Sequence, residues 1–449
     1  MKRLGVAAAV GIAAGELLQG LAQSEDAYER APIGYSKGVP QDPVARLDAR
    51  FRGSKVAGAR DDREVVRRLL AEIGAPESSQ LLVFSKTSFQ NDLISPAHPR
   101  ALYFSDDVYI GWVPGGLVEV ASMDPDLGCI FYRFDPRQTR TPDPESNTFF
   151  VRDADCLRCH GGQFIRDIPG NLARSVVTDA TGMPQLQFGS TLVDYTTPLA
   201  ERWGGWYVTG RHGTARHRGN VIASGAGGYS PTDLETGANL TNITSRVSLS
   251  AYLAPTSDIV ALMVFEHQIA FHNALTKASF RARQMLAYQR GLQTDLKENI
   301  TEEPVYESCQ RVFAHAVQDL LDVLLFKDEA EFPAGGIEGS SSFATDFGRT
   351  ALKDGEGRSL RDFQLAKRLF KYRCSYLIYT PGFTKLQPVL RRMALERLWK
   401  ALTQPGTEPR YDYLTSHERE TILGILHQTL SNLPPCFEQK PGMREKASP

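Results

Sequence analysis

From residue 80 to residue 135 the apolar positions arrive in short runs, each cut off by turn residues. The runs are "QLLVFSK" (80–86), "RALYFS" (100–105), "VYIGWVPGG" (108–116), "LVEVASM" (117–123) and "GCIFYRFD" (128–135). Short, alternating and rich in β-branched and aromatic residues, they predict strands joined by hairpins. Ahead of them, "DDREVVRRLLAEI" (61–73) spaces its apolar residues at helical intervals and predicts a short helix. Further on, "GWYVTG" (205–210) reads as a strand that leads into a basic, glycine-rich loop through residue 220.

Past Pro255 the period changes. Residues 256–293 keep a helical repeat from a start at Ser257 or Asp258, with no proline and no glycine before Gly291. "CQRVFAHAVQDLLDVLLF" (309–326) predicts a second amphipathic helix, and residues 334–358 a long loop. Ser359 and Asp362 resemble a capping box and predict a helix over 359–379. Pro388 predicts a helix start, and Thr415 with Glu418 a capped helix behind it. No internal repeat is visible. The expected fold is therefore α+β: a β-rich part over 44–250 and a helical part over 256–440 that packs on it. Gln23 to Pro43 and the tail "EQKPGMREKASP" read as segments outside the packed core.

Charge adds little to this picture. Lys plus Arg number 51 and Asp plus Glu 52, so there is no basic field for a nucleic acid and no acidic tail. The amino end adds more. Lys2 and Arg3 precede a small apolar stretch, Leu4 to Ala14, and small residues near Ala22 offer a cleavage site. This is the layout of a secretory signal peptide over residues 1–22, and it predicts a periplasmic or secreted protein with no transmembrane segment in the mature chain. Glu16 is a charge that such a segment does not usually carry.

Against that background "DADCLRCHGG" (153–162) carries the candidate chemistry. Two cysteines with two residues between them can each form a thioether to one of haem's vinyl groups. The next residue then lies under the iron, and here it is His160. Cys156, Cys159 and His160 thus predict one covalently attached haem c, with His160 as proximal ligand. Gly161 and Gly162 let backbone pass close to a flat macrocycle. Two other readings stay open. His212 and His217, with four residues between them in the basic loop, would complete a zinc site with the two cysteines. Alternatively Cys156 and Cys159 are a redox dithiol. The remaining cysteines, Cys129, Cys309, Cys374 and Cys436, are free thiols or disulfide partners in a pattern the sequence does not fix.

What a haem does depends on its other side: a second strong ligand suits electron transfer, an open site suits peroxidase-type chemistry. The candidates are His267, His217, His212 and Met183, with His98, His272 and His315 behind them. His267 and His272 lie roughly 140° apart around one helix and cannot both face one iron. Arg211, Arg216 and Arg218 are candidates for pairing with haem propionates. The other ring nitrogen of His160 needs a partner, and the carbonyl of Ile168 or Pro169 is within loop reach.

The longer context resembles a group of large, exported bacterial proteins with a single CxxCH, described as cytochrome c domain-containing. The matching stretches are "SKTSFQ" (85–90), "ISPAHPRALYFSDDVYIGWVPGG" (94–116), "VEVASMDPDLGCIFYRFD" (118–135), "CLRCHGG" (156–162), "RWGGWYVTGRHG" (202–213), "FEHQIAFHN" (265–273) and "CSYLIYT" (374–380). The resemblance implies haem binding and electron transfer, with Cys156 and Cys159 as anchors and His160 as proximal ligand. The chain departs from a small all-α cytochrome c, because strand-like runs and a proline-rich loop (139–147) flank its motif. The reading is an exported monohaem c-type cytochrome that exchanges electrons with a redox partner protein or a small-molecule donor or acceptor. The alternatives are a c-haem oxidoreductase or peroxidase with an open distal site, in which Arg211, His212, Arg216 and His217 supply acid–base groups, and an extracellular binding protein stapled by zinc or disulfides.

Overall fold

The computed structural model describes residues 26–51, 59–137, 149–165, 167–223 and 229–438. The expected signal peptide, the proline-rich loop and nearly all of the tail lie outside the described residues.

The fold is α+β, as the change of period predicts. Seven antiparallel strands form one sheet in the order β6-β5-β4-β3-β2-β1-β9. They are β1 (Leu81–Val83), β2 (Arg100–Phe104), β3 (Val108–Trp112), β4 (Val118–Asp124), β5 (Gly128–Phe134), β6 (Val151–Arg152) and β9 (Trp206–Tyr207). β7 (Arg174–Val176) and β8 (Ser190–Leu192) make a separate hairpin. Every strand expected between 80 and 135 forms, because each hairpin places alternate residues on opposite faces and each face has something to bury against.

One face is closed. Leu82, Tyr103, Ile110, Trp112, Val120, Ile130, Tyr132 and Phe134 are all buried and pack with Val65, Val66, Leu69 and Leu70 of helix Asp62–Ile73. That helix forms as its apolar spacing predicts, and it is capped at both ends: Asp61 accepts from the Glu64 N–H, and Gly74 ends it in the left-handed region at φ 68°. Tyr28, Ile33 and Tyr35 belong to the same core. The expectation that residues 23–43 stay outside the core is therefore corrected from Asp26 onward. A helix over Pro43–Phe51 also lies here, unpredicted.

The opposite face carries two different covers. At one side lies the long helix Ile259–Asp295. Its Phe265 ring packs 5.5 Å from Phe104 and 5.6 Å from Tyr109. Asp258 caps it, accepting from the Val260 N–H at 2.8 Å. The same carboxylate also takes the N–H groups of Ser340 and Ser341, which ties residues 334–358 to the helix start; this expected loop is interrupted by a short helix, Phe343–Arg349. Helices Glu307–Leu324, Pro388–Thr403 and Ser416–Thr429 follow, with Pro388 and Thr415 at their starts as predicted. They share one hydrophobic cluster with Leu81, Val83, Phe104 and Tyr109 of the sheet. At the other side of this face sits the CxxCH turn. Among the described residues no helix is long and apolar enough to cross a membrane.

The helix expected over 359–379 is not there. Asp362 accepts from the Ser359 N–H at 3.1 Å, so half of the capping box exists. The chain then folds into a small hairpin, Phe363–Gln364 against Arg368–Phe370. Phe363 stacks on Phe370 at 5.3 Å, and the Arg361 guanidinium lies 4.5 Å from both the Phe347 and the Tyr376 rings. Aromatic packing decides this segment against its helical pattern.

Candidate functional site

After β6 the chain makes one short turn of 3-10 helix, capped by Asp153, and then one turn of α-helix, Leu157–His160. Cys156, Cys159 and His160 are thereby held on a single compact turn. Cys159 is exposed, while Cys156 and His160 are half-buried. Cys156 and Leu157 pack on Met123, Cys129 and Phe131, whose side chains rise from β4 and β5. Tyr28 covers Gly161, and a Cβ there would collide with its hydroxyl.

His160 is fixed from two sides. Its ring lies 4.8 Å from that of Phe131. Its Nδ1 is 2.9 Å from the Gly170 carbonyl. A carbonyl only accepts, so Nδ1 carries the proton and Nε2 keeps the lone pair. The acceptor is Gly170, one residue beyond the expected Ile168 or Pro169, because the Gly170 N–H also returns to the His160 carbonyl at 2.9 Å. Burial pulls the His160 pKa down, and the Gly170 carbonyl opposes that pull. Burial also pushes the Cys156 thiol up to about 12, helped by the carboxylates of Asp153 and Glu119.

Beside this turn runs a row of charges that the sequence reading missed. Cross-strand register sets Gly111 against Glu119 and Glu119 against Arg133. Arg100 reaches Glu119 at 2.5 Å. Its guanidinium crosses β3 over Gly111, where any Cβ would collide with it. Arg133 pairs with Asp153 at 3.2 Å. Half-buried Leu102 and Ala121 lie among these charges, and Ala121 touches both the long-helix cluster and the motif cluster. The hairpin lengths and the alternation already imply the Glu119–Arg133 pairing. That Arg100 would reach across a glycine was not legible.

The expected distal residues are placed elsewhere and otherwise occupied. His212 is buried. Its Nδ1 lies 3.0 Å from the Ala215 carbonyl, and its Nε2 accepts the Asn239 N–H at 3.0 Å. His217 is buried too, and its Nδ1 accepts the Gly219 N–H at 3.0 Å. The two rings pack together at 4.6 Å, so the basic, glycine-rich loop turns its histidines inward. His267 bonds Ser375 through Nε2 at 2.7 Å and stacks on Phe326 at 4.0 Å. Its Nδ1 is buried without a partner. His272 bonds the Tyr109 hydroxyl at 2.8 Å. Burial holds His217, His267 and His272 to about 3. Met183 is exposed on the turn of a hairpin, where its N–H meets Asp179 at 3.0 Å. Two of the three arginines expected for propionates pair locally, Arg216 with Glu235 at 2.5 Å and Arg211 with Glu338 at 3.9 Å.

Among the described residues no three His, Cys, Asp or Glu side chains converge on a metal position. The cysteine pair and the His212–His217 pair are accordingly not brought together. Buried Arg202 and Glu266 form a separate ion pair at 2.6 Å, which Trp203 joins through its indole N–H. No family model, curated protein or solved structure matches this chain.

Proposed function

We propose that the chain is an exported monohaem c-type cytochrome that binds one haem c through Cys156 and Cys159, takes His160 as proximal ligand and transfers electrons. The observation that carries this reading is the His160 ring. Its Nδ1 proton is committed to the Gly170 carbonyl, which leaves the Nε2 lone pair for a metal on the same turn as two thiols. Both thiols are free, and Cys159 is open to solvent. The donor set fits haem c: two thiols for thioethers and one oriented imidazole.

The competing readings find less support. A redox dithiol works through a depressed thiol pKa, and burial drives Cys156 the other way, to about 12. A zinc site completed by His212 and His217 would have to break the backbone hydrogen bonds that occupy both nitrogens of His212 and Nδ1 of His217.

When bound, the group supplies one-electron chemistry at its iron. The protein's part is to hold the imidazole against Phe131, to shield one side with Met123 and Cys129, and to surround the site with the Arg100, Glu119, Arg133 and Asp153 charges. Attachment of haem c takes place outside the cytoplasm, which fits the amino-terminal layout. A redox partner protein or a small-molecule donor or acceptor completes the reading.

One observation favours the enzyme alternative. The ring nitrogens of His212 and His267 are committed to hydrogen bonds or sealed among aromatic rings, so neither is presented as a distal ligand. The test is an absorption spectrum of the full chain made with haem-attachment machinery, oxidised and reduced, with and without carbon monoxide. A c-type spectrum that ignores carbon monoxide supports electron transfer. A spectrum that shifts supports an oxidoreductase with an open site. Cys156→Ala and Cys159→Ala should each weaken covalent attachment, and the double variant should abolish it in a folded chain. A chain without any haem band, made alongside a haem-loaded control cytochrome, sinks the proposal.

A further inference from the structure

The loop that orients His160 is held by one side chain of the long helix. Asn273 accepts the Asn171 N–H at its Oδ1, at 3.2 Å, and donates through Nδ2 to the Asn171 carbonyl at 2.8 Å. One amide thus satisfies both backbone groups of one residue, like a rung of a ladder. Gly170 is the preceding residue, whose carbonyl accepts from His160. A Cβ on Gly170 would collide with Asn273 Oδ1, so the close approach requires glycine here.

The loop is gripped from the sheet as well. The Cys129 N–H donates to the Pro169 carbonyl at 3.3 Å, and the Asn171 amide donates to Cys129 Sγ at 3.3 Å. Gly128 opens this passage at φ +74°, and a Cβ on it would meet Thr276 of the long helix. The helix itself is tied to the sheet one residue before Asn273, where His272 bonds Tyr109 of β3. Residues 169–171 are therefore wedged between β5 and the long helix, and the Gly170 carbonyl has little freedom to move.

We infer that Asn273 is a positioning residue for His160: its two-bond clamp on Asn171 fixes the Gly170 carbonyl, and through it the tilt and electron-donating strength of the imidazole. The inference rests on the cytochrome reading for its redox consequence, but the clamp on the imidazole stands without haem. A carbonyl that accepts firmly from Nδ1 makes Nε2 a stronger donor and favours the ferric state. A loosened carbonyl weakens that push. Partners of this kind outside the ligand set change affinity or activity by about 10- to 100-fold when removed.

The experiment has two arms on the full chain. In haem-free protein, nitrogen-proton NMR reads exchange of the His160 Nδ1 proton with solvent. Asn273→Ala should speed that exchange by about tenfold, the factor to which one lost hydrogen bond of ordinary strength amounts. Asn273→Asp keeps the acceptor but loses the donor, so it should fall between Ala and the parent. In haem-loaded protein, Asn273→Ala should raise the midpoint potential, because the ferric state loses support. Gly170→Ala pushes the same clamp apart from the loop side and should act in the same direction. It also keeps the question decidable if Asn273→Ala does not fold. Parent-like proton exchange and parent-like potential in a folded Asn273→Ala or Gly170→Ala variant overturn the inference. A chain that never loads haem counts against the cytochrome reading alone, since the exchange arm still decides the clamp.

Discussion

The two faces of the seven-stranded sheet are built from the same strands and differ in almost everything else. On the closed face, Leu82, Tyr103, Ile110, Trp112, Val120, Ile130 and Tyr132 are buried. Two hydroxyls that enter it are paired, Tyr103 with Gln80 at 2.7 Å and Tyr132 with Asp42 at 2.6 Å, while the Trp112 indole N–H and the Ser122 hydroxyl are buried there without a partner. On the opposite face four of these strands, β2 to β5, present Arg100, Leu102, Gly111, Glu119, Ala121, Phe131 and Arg133. Two covers lie there, the long helix and the CxxCH turn, with half-buried side chains between them. Alternation along a strand therefore lets one sheet do two jobs: one face is closed by apolar packing, and the other joins its apolar contact with the long helix to a row of charges and the CxxCH turn.

The largest expected effect lies on the closed face. Trp112 is 1% exposed, and truncating it to alanine should cost about 3–5 kcal/mol. Urea unfolding would measure it. The haem spectrum of the surviving folded fraction should stay that of the parent. A large spectral change with little loss of stability would show that the faces are not separable.

The next effect concerns a histidine of the long helix that lies buried against Phe326 and Ser375. Burial holds His267 to about 3, whereas an exposed histidine titrates near 6.5. Between those values the unfolded chain binds a proton that the native chain refuses. Stability must then fall as pH drops from about 6.5 towards 3, by about 2 kcal/mol per histidine at pH 5. Asp107 runs the opposite way. Burial first, then the Asp106 carboxylate, raises it to about 7, so its contribution is full at low pH and is lost as pH rises through 7. Comparing variants isolates the histidine. His267→Phe keeps a ring against Phe326, and its loss of stability from pH 7 to pH 5 should be smaller than the parent's by about 2 kcal/mol. Equal losses in the two proteins would refute the assignment.

Much of this was legible in the sequence, and the exceptions share a cause. The strands between 80 and 135, the helix over 61–73 and the helix starts at Asp258, Pro388 and Thr415 are local, and all appear. The CxxCH turn is local too. What stayed hidden depends on partners far along the chain. His212 and His217 look like loop residues until Asn239 and Trp203 close around them. The hairpin at 363–370 looks helical until Phe347 and Tyr376 arrive. The Gly170 carbonyl was missed by one residue, because its place depends on Asn273, more than a hundred residues later.

The smallest stability effect should accompany the clearest functional one. Arg100 and Glu119 are partly exposed, and a pair of that kind adds no more than about 1 kcal/mol. Arg100→Leu should therefore unfold close to the parent in urea. Its consequence for a haem at His160 has a definite sign. A cation beside the iron opposes the more positive ferric state, so removing Arg100 should lower the midpoint potential. Glu119→Gln removes an anion from the same row and should raise it. The charges act through a partly solvated surface, so both shifts should shrink as salt is added. Opposed shifts with nearly unchanged stability would show that this face tunes a redox centre while the closed face holds the sheet. Shifts of the same sign would mean that the variants act by distorting the CxxCH turn, and that the charge row has no electrostatic part in the site.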